Sequence, residues 1–219
     1  MLSLIASLSL RAATLSGTSG SATPYSHASY ANVPWPLPQK MSAGNATVVL
    51  VGTAQSLLAC GAAADGCDPA ACPEAWPRAP CRAGSAVACA LERYAPLFTR
   101  GPSAEADETI TKIEVCVANR AAPLGPAMNE SYSLHVPASG GKIRIDAPTQ
   151  HGVMRALESL AHLISLPKPA RIVNAPVTIH DAPRWPVRGL MVNPAGRFMS
   201  LDTLMRIVDG LVVNKMNCA

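Results

Sequence analysis

Hydrophobic and polar positions alternate in the middle of the chain and recur at helical spacing on either side. Residues 110–117 (ITKIEVCV) set Ile110, Ile113, Val115 and Val117 for burial on one face of a strand. Residues 131–136 (SYSLHV) and 142–146 (KIRID) alternate in the same way. With Gly140-Gly141 between them, they predict a hairpin. The β-branched run 46–51 (ATVVLV) predicts a further strand, and 171–180 (RIVNAPVTIH) another. Three stretches carry the longer period. Residues 87–98 (VACALERYAPLF) predict a helix that Pro96 must end or kink. Residues 152–166 place Val153, Met154, Leu157, Leu160, Ala161 and Ile164 on one stripe. Residues 201–212 do the same with Leu201, Leu204, Met205, Val208, Leu211 and Val212, and Ser200 stands where an N-cap belongs.

These elements group into two units. Residues 33–180 are expected to form an α+β domain, with a few-stranded, mostly antiparallel sheet and helices on one face. It opens on 33–40 (VPWPLPQK), a proline-fixed strap expected to dock Trp35 on the domain. Pro183 and Pro186 then stiffen the passage into 181–219. There the apolar run 188–192 (RGLMV), the turn at residues 193–196, the helix from Leu201 and a second apolar segment from Met216 read as strand, loop, helix and strand. That order is the first unit of a βα repeat, here ending at Ala219.

Composition narrows the function classes. The formal net charge of +4 is dispersed along the chain and argues against a nucleic-acid partner. Residues 1–22 resemble a secretory signal peptide and are too short and serine-rich for a membrane span. Cys60, Cys67, Cys72, Cys81, Cys89 and Cys116 cluster in one region, largely in a Cys-rich insertion over 60–89, while Cys218 stands apart. Their spacing lacks paired C-x-x-C units and has no histidine pair beside it, so disulfides are expected rather than a metal. Spacing does not fix the pairing. The sequons at Asn45 and Asn129 fit the same secretory route, secreted or lysosomal.

Several segments resemble, in order, the β-N-acetylhexosaminidases of glycoside hydrolase family 20. They are 33–39 (VPWPLPQ), 90–98 (ALERYAPLF), 129–134 (NESYSL), 147–163 (APTQHGVMRALESLAHL), 179–190 (IHDAPRWPVRGL) and 214–217 (NKMN). The resemblance implies an N-terminal non-catalytic domain followed by a (β/α)8 TIM barrel that carries the active site. It also implies hydrolysis of terminal N-acetylglucosamine or N-acetylgalactosamine from glycoconjugates or chitin oligomers, without a cofactor or metal, and a homo-oligomer in the full-length enzyme. Arg188 matches the family arginine that hydrogen-bonds the terminal sugar, and its rigid fork of donors suits that role. The alternative for Arg188 is a carboxylate partner at the barrel mouth. Arg184 reads as structural.

The departures from the family also matter. Where the family has an Asp at the end of the first strand and an Arg-His pair before an aromatic, this chain has Asn193, Gly196 and Arg197 before Phe198. The family reaction is substrate-assisted: the 2-acetamido oxygen attacks, an Asp orients it and a neighbouring Glu protonates the leaving oxygen. Those acids belong to a later barrel strand, so this chain alone is expected to be inactive. No other residues replace them. Asp202 and Asp209 fall on a solvated helix face, and Glu105, Asp107 and Glu108 form a hydrated loop run. His151 and His162 lack metal-ligand spacing, and the serines lack an elbow motif. A rival reading is a disulfide-stapled glycan- or protein-binding module that uses the apolar face of the last helix.

Overall fold

The computed structural model describes residues 33–52, 58–60, 67, 86–98, 109–165, 170–196 and 198–218, with the side chains of residues 58–60 and of Ala88 excepted. The 1–22 leader, Cys72, Cys81, the acidic run at Glu105, Asp107 and Glu108, Arg197 and most of the 60–89 insertion lie outside the described residues.

Six strands form one sheet: β1 (Lys40–Leu50), β2 (Leu58–Cys60), β3 (Thr109–Asn119), β4 (Tyr132–Val136), β5 (Gly141–Thr149) and β6 (Arg171–Asp181). Their order is β1-β6-β4-β5-β3-β2, and the end of β1 also pairs with the start of β3. The expected hairpin is β4–β5, with Leu134 opposite Ile145. The sheet is mixed, which corrects the expectation of a mostly antiparallel one. β3 pairs in parallel with β5, β2 and β1, whereas β4–β5, β4–β6 and β1–β6 are antiparallel. The physical reason is connectivity. A helical crossover joins β2 to β3, and a crossover returns a strand parallel to its predecessor, where a tight turn reverses it.

Two helices complete this layer: α1 (Ala86–Phe98) and α2 (Gln150–Leu163). Their apolar stripes share one core with the inward residues of the strands, among them Leu91, Phe98, Ile113, Leu134, Ile143, Ile145, Leu157, Leu160 and Ile179. Pro96 sits inside α1, and the helix ends two residues later. A proline in the last turn removes one backbone bond and leaves the earlier turns intact. Thr149 caps α2. Gly152 lets that first turn lie on β4, because a Cβ there would stand 2.1 Å from the Ser131 carbonyl oxygen.

β1 begins earlier than its β-branched run predicts, since Lys40–Ala43 already pair with β6. Between Ala43 and Ala46 the register shifts opposite Pro176, which has no N–H for the ladder. Gly44 fits there because a side chain would meet the Ala175 carbonyl oxygen at 2.4 Å.

Beyond β6, α3 (Leu201–Val213) follows, with Ser200 as its N-cap. The predicted strand at 188–192 is reduced to one parallel bridge, Gly189 with Cys218, on either side of α3. The Leu190 N–H donates to the Cys218 carbonyl and the Asn217 N–H to that of Arg188. A single pairing satisfies one edge over two residues, too little to extend a strand.

Cys67 and Cys116 are joined by a disulfide, Cys89 is also disulfide-bonded, and Cys218 is free and exposed. Among the described residues, no helix is long and apolar enough to cross a membrane, and no cluster of potential metal ligands occurs.

Candidate functional site at the junction

The second unit is joined to the sheet layer by a polar seam. Its centre is Glu130, whose side chain is 1 % exposed. Glu130 lies two residues before the first residue of β4 and is buried. Three donors converge on its carboxylate. Arg188 Nη2 lies 2.6 Å from Oε2, Arg155 Nε 2.5 Å from the same oxygen, and Asn217 Nδ2 3.3 Å from Oε1. Burial acts to raise the carboxyl pKa, but the Arg188 and Arg155 guanidiniums outweigh it and hold the group below its ordinary value.

The other Arg188 donors reach its own unit: Nε donates to the Lys215 carbonyl at 2.9 Å and Nη1 to the Trp185 carbonyl at 2.6 Å. Three of the five N–H groups of this arginine are thus engaged by protein. Arg155, from α2, spans the seam in the opposite sense and donates to the Met216 carbonyl. The two arginines and one carboxylate therefore tie α2, β4 and both arms of the βα unit together.

One turn along α2 a second cluster closes the seam. Lys215, the described non-glycine residue with positive φ (54°), projects its ammonium onto Ser159 Oγ (2.7 Å), Tyr132 Oη (3.1 Å) and Asp181 Oδ2 (3.4 Å). Tyr132 also donates to Asp181. Burial pushes the lysine pKa down, and Asp181 opposes that shift. Burial and the same aspartate push the Tyr132 phenol up, so it stays a neutral donor.

The outer rim belongs to the strap. The Trp35 backbone N–H donates to His162 Nδ1, and its indole N–H donates to Asn214 Oδ1. Glu158 accepts from His162 and from the Tyr94 hydroxyl. Gln39 continues the strap onto Asp181 and the Ala182 carbonyl. Among the described residues, a cleft of about 400 Å³ opens beside this seam, between the strap and residues 181–188.

The expected site residues are thus dispersed. Arg188 lies in the seam, and the carboxylate weighed as its alternative partner is present as Glu130. Asn129 and Asn45 are exposed, and the Asn129 side-chain oxygen accepts from the Ser131 N–H and hydroxyl. Asp202 pairs with Arg206 and Asp209 with Arg93 on the surface. His151 is buried against the Ala122 carbonyl. Sequence reasoning missed Glu130, Arg155, Lys215, Tyr132 and Asp181 as one constellation. Glu130 was hidden as the middle residue of a sequon. The available signal was that Glu130, Tyr132, Arg155, Asp181, Arg188 and Lys215 all fall inside the family-like segments.

A family model described as "beta-acetyl hexosaminidase like" matches residues 34–163. The beta-hexosaminidase 1 of Coccidioides posadasii is 30 % identical over 135 residues, covering 61 % of this chain and 23 % of that protein. The beta-hexosaminidase of Emericella nidulans is 35 % identical over 144 residues, covering 60 % of this chain and 24 % of the relative. The chain spans about a quarter of the length of these curated relatives. The crystal structure of Flavobacterium johnsoniae chitobiase superposes with a TM-score of 0.57 at 22 % identity, over 85 % of this chain and 26 % of that one. At that identity the likeness is one of fold.

Proposed function

We propose, because this chain belongs to the beta-acetyl hexosaminidase-like family, that it is the N-terminal portion of a β-N-acetylhexosaminidase acting on terminal, non-reducing N-acetylglucosamine or N-acetylgalactosamine. In this reading 33–180 is the non-catalytic domain and 181–219 begins the (β/α)8 barrel. The family match over most of the sheet domain carries the proposal. The parallel Gly189–Cys218 bridge flanking α3 supports the barrel assignment, since strand, helix and parallel strand is the repeat of that fold.

The catalytic acids of the substrate-assisted reaction come from a later barrel strand in this family, so the 219 residues supply scaffold rather than proton transfer. Arg188 offers the sugar at most the two N–H donors left over from the seam, and its first role is to fix the start of the barrel on the domain. Disulfides at Cys67–Cys116 and at Cys89 support a secreted or lysosomal location. Glycans at Asn45 and Asn129 belong to the same reading, as does a homo-oligomer of the full-length enzyme.

The test is an aryl N-acetylglucosaminide assay on two proteins. The purified chain is expected to give no turnover above buffer. A chimaera in which it replaces the matching segment of a curated relative is expected to hydrolyse the substrate. Turnover by the chain alone, or a folded but inactive chimaera, contradicts the proposal.

A further inference from the structure

The junction cleft holds more positive charge than its carboxylates balance. Arg155, Arg184, Arg188 and Lys215 line it against Glu130 and Asp181. Glu130 is already shared by Arg155 and Arg188, and Asp181 by Lys215 and Tyr132. Arg184 is left over. It is exposed, and among the described residues no carboxylate lies within ion-pair distance of it. Its guanidinium rests instead 5.5 Å from the centroid of the Trp185 ring.

Trp185 is itself 63 % exposed, and with Pro36, Leu37 and Pro183 it gives the cleft an apolar wall. An exposed indole offers a flat surface to the C–H face of a pyranose ring. A guanidinium beside that surface, without a carboxylate partner among the described residues and with a positive field behind it, favours an anionic group that accepts two parallel hydrogen bonds. Neither feature alone selects a ligand. Together they select a ring with an acidic substituent.

We propose that the junction cleft binds an acidic saccharide unit, a pyranose carrying a carboxylate or a sulfate, stacked on Trp185 with its anion held by Arg184. The ligand contacts proposed are Trp185 and Arg184, and not Arg188, whose guanidinium is engaged by Glu130 and two backbone carbonyls. The anion displaces the Arg184 guanidinium from the Trp185 ring, and Pro36 and Leu37 of the strap line the wall beside it.

Isothermal titration of the 219-residue chain tests this with four probes: D-glucuronate, glucose 6-sulfate, glucose and inorganic sulfate. One or both acidic sugars should bind at least about tenfold more tightly than glucose and than inorganic sulfate, with affinity falling as salt is raised. Arg184→Gln should remove the preference for the acidic sugar over glucose. Trp185→Ala should weaken both sugars and leave inorganic sulfate unchanged. Both side chains are exposed, so circular dichroism of the variants should match the parent. A preference between glucuronate and the sulfate ester identifies which anion the site takes. Equal binding of glucose and glucuronate overturns the anion assignment. Inorganic sulfate binding as tightly as the acidic sugars overturns the stacking assignment. No saturable binding of either acidic sugar overturns the proposal. Binding is read without turnover, so failure here leaves the hexosaminidase reading standing.

Discussion

Replacing Glu130 with glutamine perturbs the seam at its centre while keeping the side-chain shape. The carboxylate is 1 % exposed and takes Arg188 at 2.6 Å and Arg155 at 2.5 Å, and both guanidiniums are themselves largely buried. An amide at this position offers one acceptor instead of a charge and turns an N–H₂ toward donors. Removing one partner of a buried pair costs about 3–5 kcal/mol, because the remaining charge stays buried without compensation. For a chain of this size that is a fall in melting temperature of about 6–20 °C. An exposed pair serves as the control: Asp202→Ala breaks the Asp202–Arg206 contact, whose side chains are 73 % and 79 % exposed, and should cost less than about 1 kcal/mol.

The assay is urea unfolding of parent and variant across pH. The Glu130 pKa is depressed in the folded chain, so its contribution is complete above the unfolded carboxylate value of about 4.3 and is lost as pH falls through the folded value. The gap between parent and Glu130→Gln should therefore be full at neutral pH and close in acid. A loss under about 1 kcal/mol at pH 7, or a gap that does not change with pH, refutes the reasoning.

Other substitutions test the remaining parts. Gly152→Ala should destabilise by about 1–3 kcal/mol in urea melts, because its Cβ would overlap the Ser131 carbonyl oxygen and push α2 off β4. Cys67→Ser with Cys116→Ser opens a loop with a sequence separation of 49 residues, and in the chain-entropy account the melt should lose up to about 4 kcal/mol. Lys215→Met should alter the alkaline limb. The folded lysine pKa is depressed, so the unfolded state binds more protons and stability from this group rises with pH toward about 10.4. That rise should be absent in the variant when the two urea-melt series are subtracted.

What the sequence disclosed follows from the range of its signals. Periodicity found α2 and α3 and the β4–β5 hairpin because each depends on neighbours in the chain: the stripe from Val153, the Ser200 cap, the two glycines at 140–141. The parallel partners of β3 were not legible, since Ile113 gives no sign that it faces Ile143 on one side and Leu58 on the other. β1 was read too short, as Lys40–Ala43 hold no β-branched or aromatic residue and owe their strand to β6 rather than to propensity.

The seam was hidden for a similar reason. Its members lie far apart in sequence, Glu130 and Arg188 at a separation of 58 and Tyr132 and Lys215 at a separation of 83. Of these residues only Arg188 was singled out, as a sugar ligand, and the fold buries it against Glu130. Trp35 was the exception. Its isolation among prolines pointed to an anchor, and it bonds both α2 and the end of α3.

Hydrogen exchange tests the central claim most directly, namely that Glu130 docks the βα unit on the sheet domain as the start of a barrel. The amides of Leu190, Asn217 and Cys218, which close the parallel bridge, are the reporters. The account predicts that they are protected in the parent chain and exchange freely in Glu130→Gln, while the β4–β5 hairpin amides remain protected in both. Free exchange at these amides in the parent, or unchanged protection in the variant, would contradict it.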